Sequence, residues 1–176
     1  YEKKYKKLNL AACKGDVTLI LSGAGAISGC ALRLLEQLKD YSVSVLYIKS
    51  DEGTFGDISR VRDRITMQIL QQYVRSAKLK AMYIVSNKAV ESIIGSVSIR
   101  EYWDQINSFI ASTYHMINVF SNTEALLAST ALPPETARIA TFGVVNFETK
   151  EEKLFYNLEF PRTKNYFYGL KSEALE

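Results

Sequence analysis

"LILSGAGAISGCALRLLEQL", Leu19 to Leu38, is an apolar run that breaks into three glycines within seven residues and resumes at helical spacing. That is how a strand hands over to a helix. A helix that begins at a glycine turn leaves room for a close neighbour, either an anion held by free backbone N–H groups or another part of the chain. The loop alone leaves both open. It departs from the dinucleotide fingerprint, since a G-x-G-x-x-G reading from Gly23 requires glycine where Ser28 stands, and it has no Gly-Lys-Ser/Thr of a Walker loop.

Outward from this turn, "DVTLILS" (Asp16 to Ser22), "VSVLYIK" (Val43 to Lys49) and "LKAMYIVS" (Leu79 to Ser86) are short continuous apolar runs, the texture of strands covered on both faces. Between them lie "SGCALRLLEQLKD" and "DISRVRDRITMQILQQYVRSA", both at helical spacing. In the second, Ile58, Val61, Ile65, Ile69 and Tyr73 form one stripe, which predicts the core-facing side, with Arg60, Arg64 and Gln71 elsewhere. The alternation predicts an α/β fold with a Rossmann-like parallel sheet. From Ser98 to Asn122 the chain reads as one long central helix, apolar around most of its circumference. After "LPPE" (Leu132 to Glu135) the texture turns to β: "RIATFGVVNF", "KLFYNLEF" and "NYFYGL" predict a hairpin and a third strand. The expected division is 1–132, an α/β unit with its central helix, and 133–176, the start of a β-rich second domain.

Composition narrows the classes. The 176 residues are 47% hydrophobic and 23% charged, as in a folded globular chain, with a net charge of +3 concentrated in the opening "YEKKYKK". A solvated terminal segment accounts for that excess, so no DNA partner is expected. Cys13 and Cys30 have no metal-ligand spacing, which fits a reducing, cytoplasmic setting and no metal site of side chains. No run approaches the roughly 20 apolar residues needed to span a bilayer, and no membrane partner is expected.

The order of glycine turn, helix, strand, "DEG" loop, helix, strand ending in "VSN", short helix and long helix containing "EYWDQIN" resembles the tubulin/FtsZ superfamily, including its divergent bacteriophage-type members, from Asp16 to about residue 130. The resemblance implies that Gly23, Ala24, Gly25, Ser28 and Gly29 fall on the phosphate loop, with Ala26 and Ile27 departing from the family pattern. It puts Glu52 at the ribose, Asn87 and Asn107 at the guanine base, and Trp103 beside that base one helical turn before Asn107. Residues four apart share a helix face, so an aromatic plate and an amide there can address one purine. Read from the residues alone, Trp103 is rather a core residue and Asn107 a buried amide tied to backbone. The implied cofactors are GTP or GDP with Mg2+, and the implied partner is the protein itself, as a homo-oligomer or filament, in a cytoplasmic or virion-associated setting.

Two departures accompany the resemblance. Only residues 1–15 stand ahead of the first strand, where the family has an N-terminal strand and a further glycine-rich loop completing the pocket. After the central helix, "NVFSNTE" keeps Asn118 but has Phe120 and Thr123 where the family's water-activating acids belong, leaving Glu124 as the nearby catalytic acid. The expected activity is therefore weak or absent GTP hydrolysis in a self-assembling protein. Two other readings stay open: a Rossmann-like enzyme or subunit binding a phosphorylated small molecule, and a structural assembly protein that binds no nucleotide.

Overall fold

A computed structural model describes residues 7–10, 13–51, 53, 56–123 and 136–168. Among them the chain forms β1 (Asp16–Ser22), a 3-10 turn (Ala26–Cys30), α1 (Ala31–Gln37), β2 (Ser42–Lys49), α2 (Asp57–Arg75), β3 (Ala81–Ser86), α3 (Asn87–Ile94), α4 (Tyr102–Asn122), β4 (Ile139–Ala140), β5 (Gly143–Val145) and β6 (Glu152–Leu154). The first four strands make one sheet in sequence order, every pair parallel, and β5 and β6 make an antiparallel pair. The parallel α/β architecture expected from the apolar runs is the one observed.

Strand alternation divides the core in two. Val43, Val45 and Tyr47 of β2 and Met82 and Ile84 of β3 point to one face, where they pack with Leu35 of α1 and Leu70 and Val74 of α2. Leu46 and Val85 point to the other, against Val90 of α3, Ile106 and Ile110 of α4, and Phe142 and Phe155. Side chains two apart share a face, so one strand serves both layers. This is why β2 and β3 read as continuous apolar runs.

β1 read the same way but is an edge strand. Among the described residues it pairs only with β2; it alternates between half-buried and exposed positions and leaves Ile20 61% exposed. Its outer end is held by an ion pair between Asp16 and Lys80, in which the Lys80 hydrogen bond keeps the Asp16 carboxyl below its ordinary range.

Two helices differ from their sequence reading. α4 begins at Tyr102, after a turn in which Glu101 N–H donates to Ser98 O, and buries only Ile106 and Ile110. It covers one face of the sheet, and the far side of its circumference is exposed. α2 is rotated from the expected stripe: its buried residues are Asp63, Thr66, Leu70 and Val74, while Ile58, Val61 and Ile65 are exposed. Tyr47, wholly buried on β2, explains the rotation. Its hydroxyl donates to Asp63 Oδ1 at 2.7 Å and lies 2.9 Å from the Asp63 carbonyl, and a buried phenol needs such a partner.

The change of texture after residue 132 falls within shared structure. β4 is the fourth strand of the parallel sheet, and Phe142 and Phe155 belong to the core of α4. The expected hairpin is β5 and β6, turned by Asn146, whose Oδ1 accepts from the N–H groups of Glu148 and Thr149. The expected third strand is not formed over residues 165–168. There Lys164 and Tyr166 are tied through their side chains to Glu152 rather than by a backbone ladder.

Candidate functional site

In a parallel sheet the loops beyond the carboxyl ends of the strands converge, and ligands bind there. Here those ends form a row. Ser22, closing β1, has its hydroxyl 3.3 Å from that of Ser50, just past β2. Asp51 follows, capping Gly53 N–H and lying 4.0 Å from Lys88 Nζ, one residue into α3. Tyr102 at the start of α4 donates to Glu91 of α3 at 3.0 Å, and burial, with Glu91 next and Asp51 adding to it, raises its hydroxyl pKa. Trp103 packs edge-on against Tyr102, with ring centres 5.0 Å apart. The segments after β1, β2 and β3 and the start of α4 thus meet at one edge.

The glycine turn is largely folded in on itself. Gly23 N–H donates to Ile48 O, Gly25 N–H to Ser22 O and Ser28 N–H to Gly25 O. The Ser28 hydroxyl donates to Ser22 O, and Ala24 and Ser28 are buried. A Cβ at Gly23 would overlap Tyr47 Oη and Asp63 Oδ1, so the close neighbour this glycine admits is the Tyr47–Asp63 pair. Gly25 is tight as well, since an added Cβ would stand 3.3 Å from Ser28 Oγ and 3.5 Å from Ser22 O, whereas Gly29 is exposed with nothing within 4 Å. Of the three glycines, Gly29 alone therefore faces open space.

Asn87, the first residue of α3 directly past β3, is different. Its Oδ1 is buried and has no hydrogen-bond partner among the described residues. Leaving a buried acceptor unpaired costs about 1–3 kcal/mol, so such an atom calls for a donor. Trp103 is 60% exposed and Asn107 is exposed one turn along α4, so neither takes the core role open to it in sequence. Glu52 and Glu124 lie outside the described residues. Of the positions flanking Glu124, Phe120 stacks on Phe167 with ring centres 5.2 Å apart, and Thr123 Oγ1 donates to Val119 O.

Sequence reasoning missed the Tyr47–Asp63 pair and the Ser22, Ser50, Asp51 and Lys88 row. A tyrosine inside a strand buried on both faces was the signal for the first, because its hydroxyl has to find a partner. Position just past each predicted parallel strand was the signal for the second. Among the described residues no group of three His, Cys, Asp or Glu side chains is arranged to hold a metal ion, and no helix is long and apolar enough to cross a membrane. Compared with known protein families, with curated proteins and with solved structures, the chain matches none.

Proposed function

We propose that the carboxyl edge of the parallel sheet is a nucleotide site of the guanine type, in a tubulin/FtsZ-like protein that assembles with copies of itself in the cytoplasm. The observation that carries this reading is Asn87 Oδ1, a buried acceptor without a donor at the end of β3. Guanine offers N–H donors along its base-pairing edge, and one of them there would remove the cost of the unpaired oxygen. The exposed Trp103 and Asn107 supply an aromatic face and an amide on the adjoining helix. The phosphates belong beside Gly29, which faces open space, rather than at the inward-turned Ser28 hydroxyl. Mg2+ in this site would be carried by the phosphates, for which it neutralises charge.

A second reading has its own support. Gly23 is accounted for by the Tyr47–Asp63 pair without any ligand, as in an assembly protein that keeps the fold and binds no nucleotide. Calorimetric titration of the intact protein with GTP, GDP and ATP, each with Mg2+, separates the two. The first reading expects guanine nucleotides to bind in preference to ATP, with that preference lost in Asn87→Ala. Concentration-dependent polymers in sedimentation without any nucleotide binding establish the second instead.

A further inference from the structure

α2 turns an apolar stripe to solvent. Ile58 is 77%, Val61 54% and Ile65 49% exposed, and Ile69 continues the line. With Leu32 of α1 and the open space beside Gly29 they line a groove of about 340 Å3 between the two helices. The positions i, i+3, i+7 and i+11 are those of a helix seam, yet the sheet side of α2 is already occupied by Asp63, Thr66, Leu70 and Val74. Apolar side chains aligned in this way, with no partner among the described residues, mark a contact surface.

We infer that this groove docks an amphipathic helix of a partner protein whose flanking residues are acidic. Charge selects that occupant. Arg62 and Arg64 border the stripe, and neither has an acidic partner among the described residues. Asp63 between them is turned into the core on Tyr47, and Asp57 is already paired with Arg60 at 2.7 Å. The apolar floor is therefore edged with uncompensated positive charge, which steers and orients an acid-flanked helix. Two copies packing α2 against α2 would oppose these arginines to their own equivalents. A lipid surface fits less well, since the stripe is wholly aliphatic, without the aromatic residues that seat an interfacial helix.

The test uses the intact protein and two fluorescein-labelled synthetic helices, with leucine at every third or fourth position and either glutamate or lysine at the flanking positions. Fluorescence anisotropy should show the glutamate helix binding at least about tenfold more tightly than the lysine helix, the more so at low salt. Ile65→Gln should weaken it by at least about tenfold, and the double variant Arg62→Glu/Arg64→Glu should reverse the preference. Ile65 is exposed, so a circular dichroism melt matching the parent keeps loss of binding distinct from loss of fold. Equal binding of the two helices, indifference to Ile65→Gln, or no binding of the glutamate helix overturns the proposal. So does a dimer in sedimentation equilibrium that Ile65→Gln abolishes, which assigns the groove to a second copy. Flotation with phosphatidylserine vesicles that Ile65→Gln abolishes, without helix binding, assigns it to lipid and overturns it equally. All of these measurements are made without nucleotide, because Gly29 borders both the groove and the proposed phosphate end, so their outcome does not rest on the nucleotide reading.

Discussion

Gly23 and Gly29 stand six residues apart in one turn and answer to different constraints. Beside Gly23 the Tyr47 hydroxyl and the Asp63 carboxylate fill the volume a Cβ would take, whereas Gly29 faces open space in ordinary backbone. Gly23→Ala should therefore cost about 1–3 kcal/mol in urea denaturation, through overpacking of a rigid pair. Gly29→Ala should be neutral or stabilising by up to about 1 kcal/mol, because it restricts the unfolded chain alone. Equal effects would mean that the Tyr47–Asp63 pair does not press on the turn. The same pair makes stability fall at alkaline pH. Burial, and after it the Asp63 carboxylate, pushes the Tyr47 hydroxyl well above the ordinary tyrosine range. The folded state thus holds a proton that the unfolded state releases near pH 10, so this contribution is complete below about pH 10 and declines above it. The slope from this one group is about 1.4 kcal/mol per pH unit. Tyr47→Phe should be less stable by about 1–3 kcal/mol at neutral pH, since Asp63 loses its donor, yet lose less on going from pH 9 to 11. Paired denaturant titrations at the two pH values read that difference directly.

At the scale of elements, α2 has two apolar stripes and only one can face the sheet. The stripe with Leu70 and Val74 wins although it includes Asp63 and Thr66, because the Tyr47 hydroxyl needs an acceptor and Asp63 supplies it. An isoleucine on the outer stripe should then tolerate change. Ile58→Lys should alter stability by no more than about 0.5 kcal/mol, while Leu70→Ala should cost about 2–5 kcal/mol. Thermal melts of the two variants decide the point, and a large loss for Ile58→Lys would restore the opposite face to the core. α4 shows the same limit of periodicity. Its circumference is apolar enough to be buried on several sides, but its core contacts are with one face of the sheet and with Phe142 and Phe155, and Trp103, Met116 and Val119 remain exposed.

For the molecule as a whole, the proposed nucleotide site and the segment after α4 bear on turnover together. Phe120 is stacked on Phe167 and the Thr123 hydroxyl closes the end of α4, so neither of these positions offers a group to orient or deprotonate water. Misplacing a general base by about 1 Å can lower a rate on the order of a hundredfold, and Glu124 is one place removed from the expected position. Under the proposed reading, in which the protein binds guanine nucleotide and assembles, phosphate release should accordingly be slow and the polymers static. Brisk release that Glu124→Ala abolishes would show that the displaced acid suffices, and brisk release that survives the change would show that the loop is aligned wrongly with the family.

The sequence by itself determined the parallel α/β architecture, because a strand buried on both faces must be continuously apolar and a helix on a sheet must carry an apolar stripe. Ser42–Lys49 and Ala81–Ser86 were legible for that reason; Asp16–Ser22 was legible as a strand from its apolar run although one face of it is exposed, and the glycine turn and the β5–β6 hairpin were legible from their turn residues. Asn87 was singled out by the family resemblance, and it stands directly past β3 as the first residue of α3. What only the tertiary structure decided was which of two equivalent surfaces goes inward: the outward turn of Ile58, Val61 and Ile65, the edge position of β1, the exposure of Trp103 and Asn107, and the filling of the space at Gly23 by Tyr47 and Asp63. Periodicity reports that a face is apolar but carries no record of what lies opposite it. A hydrogen bond between residues sixteen apart in the chain, such as Tyr47 to Asp63, exists only once strand and helix are packed.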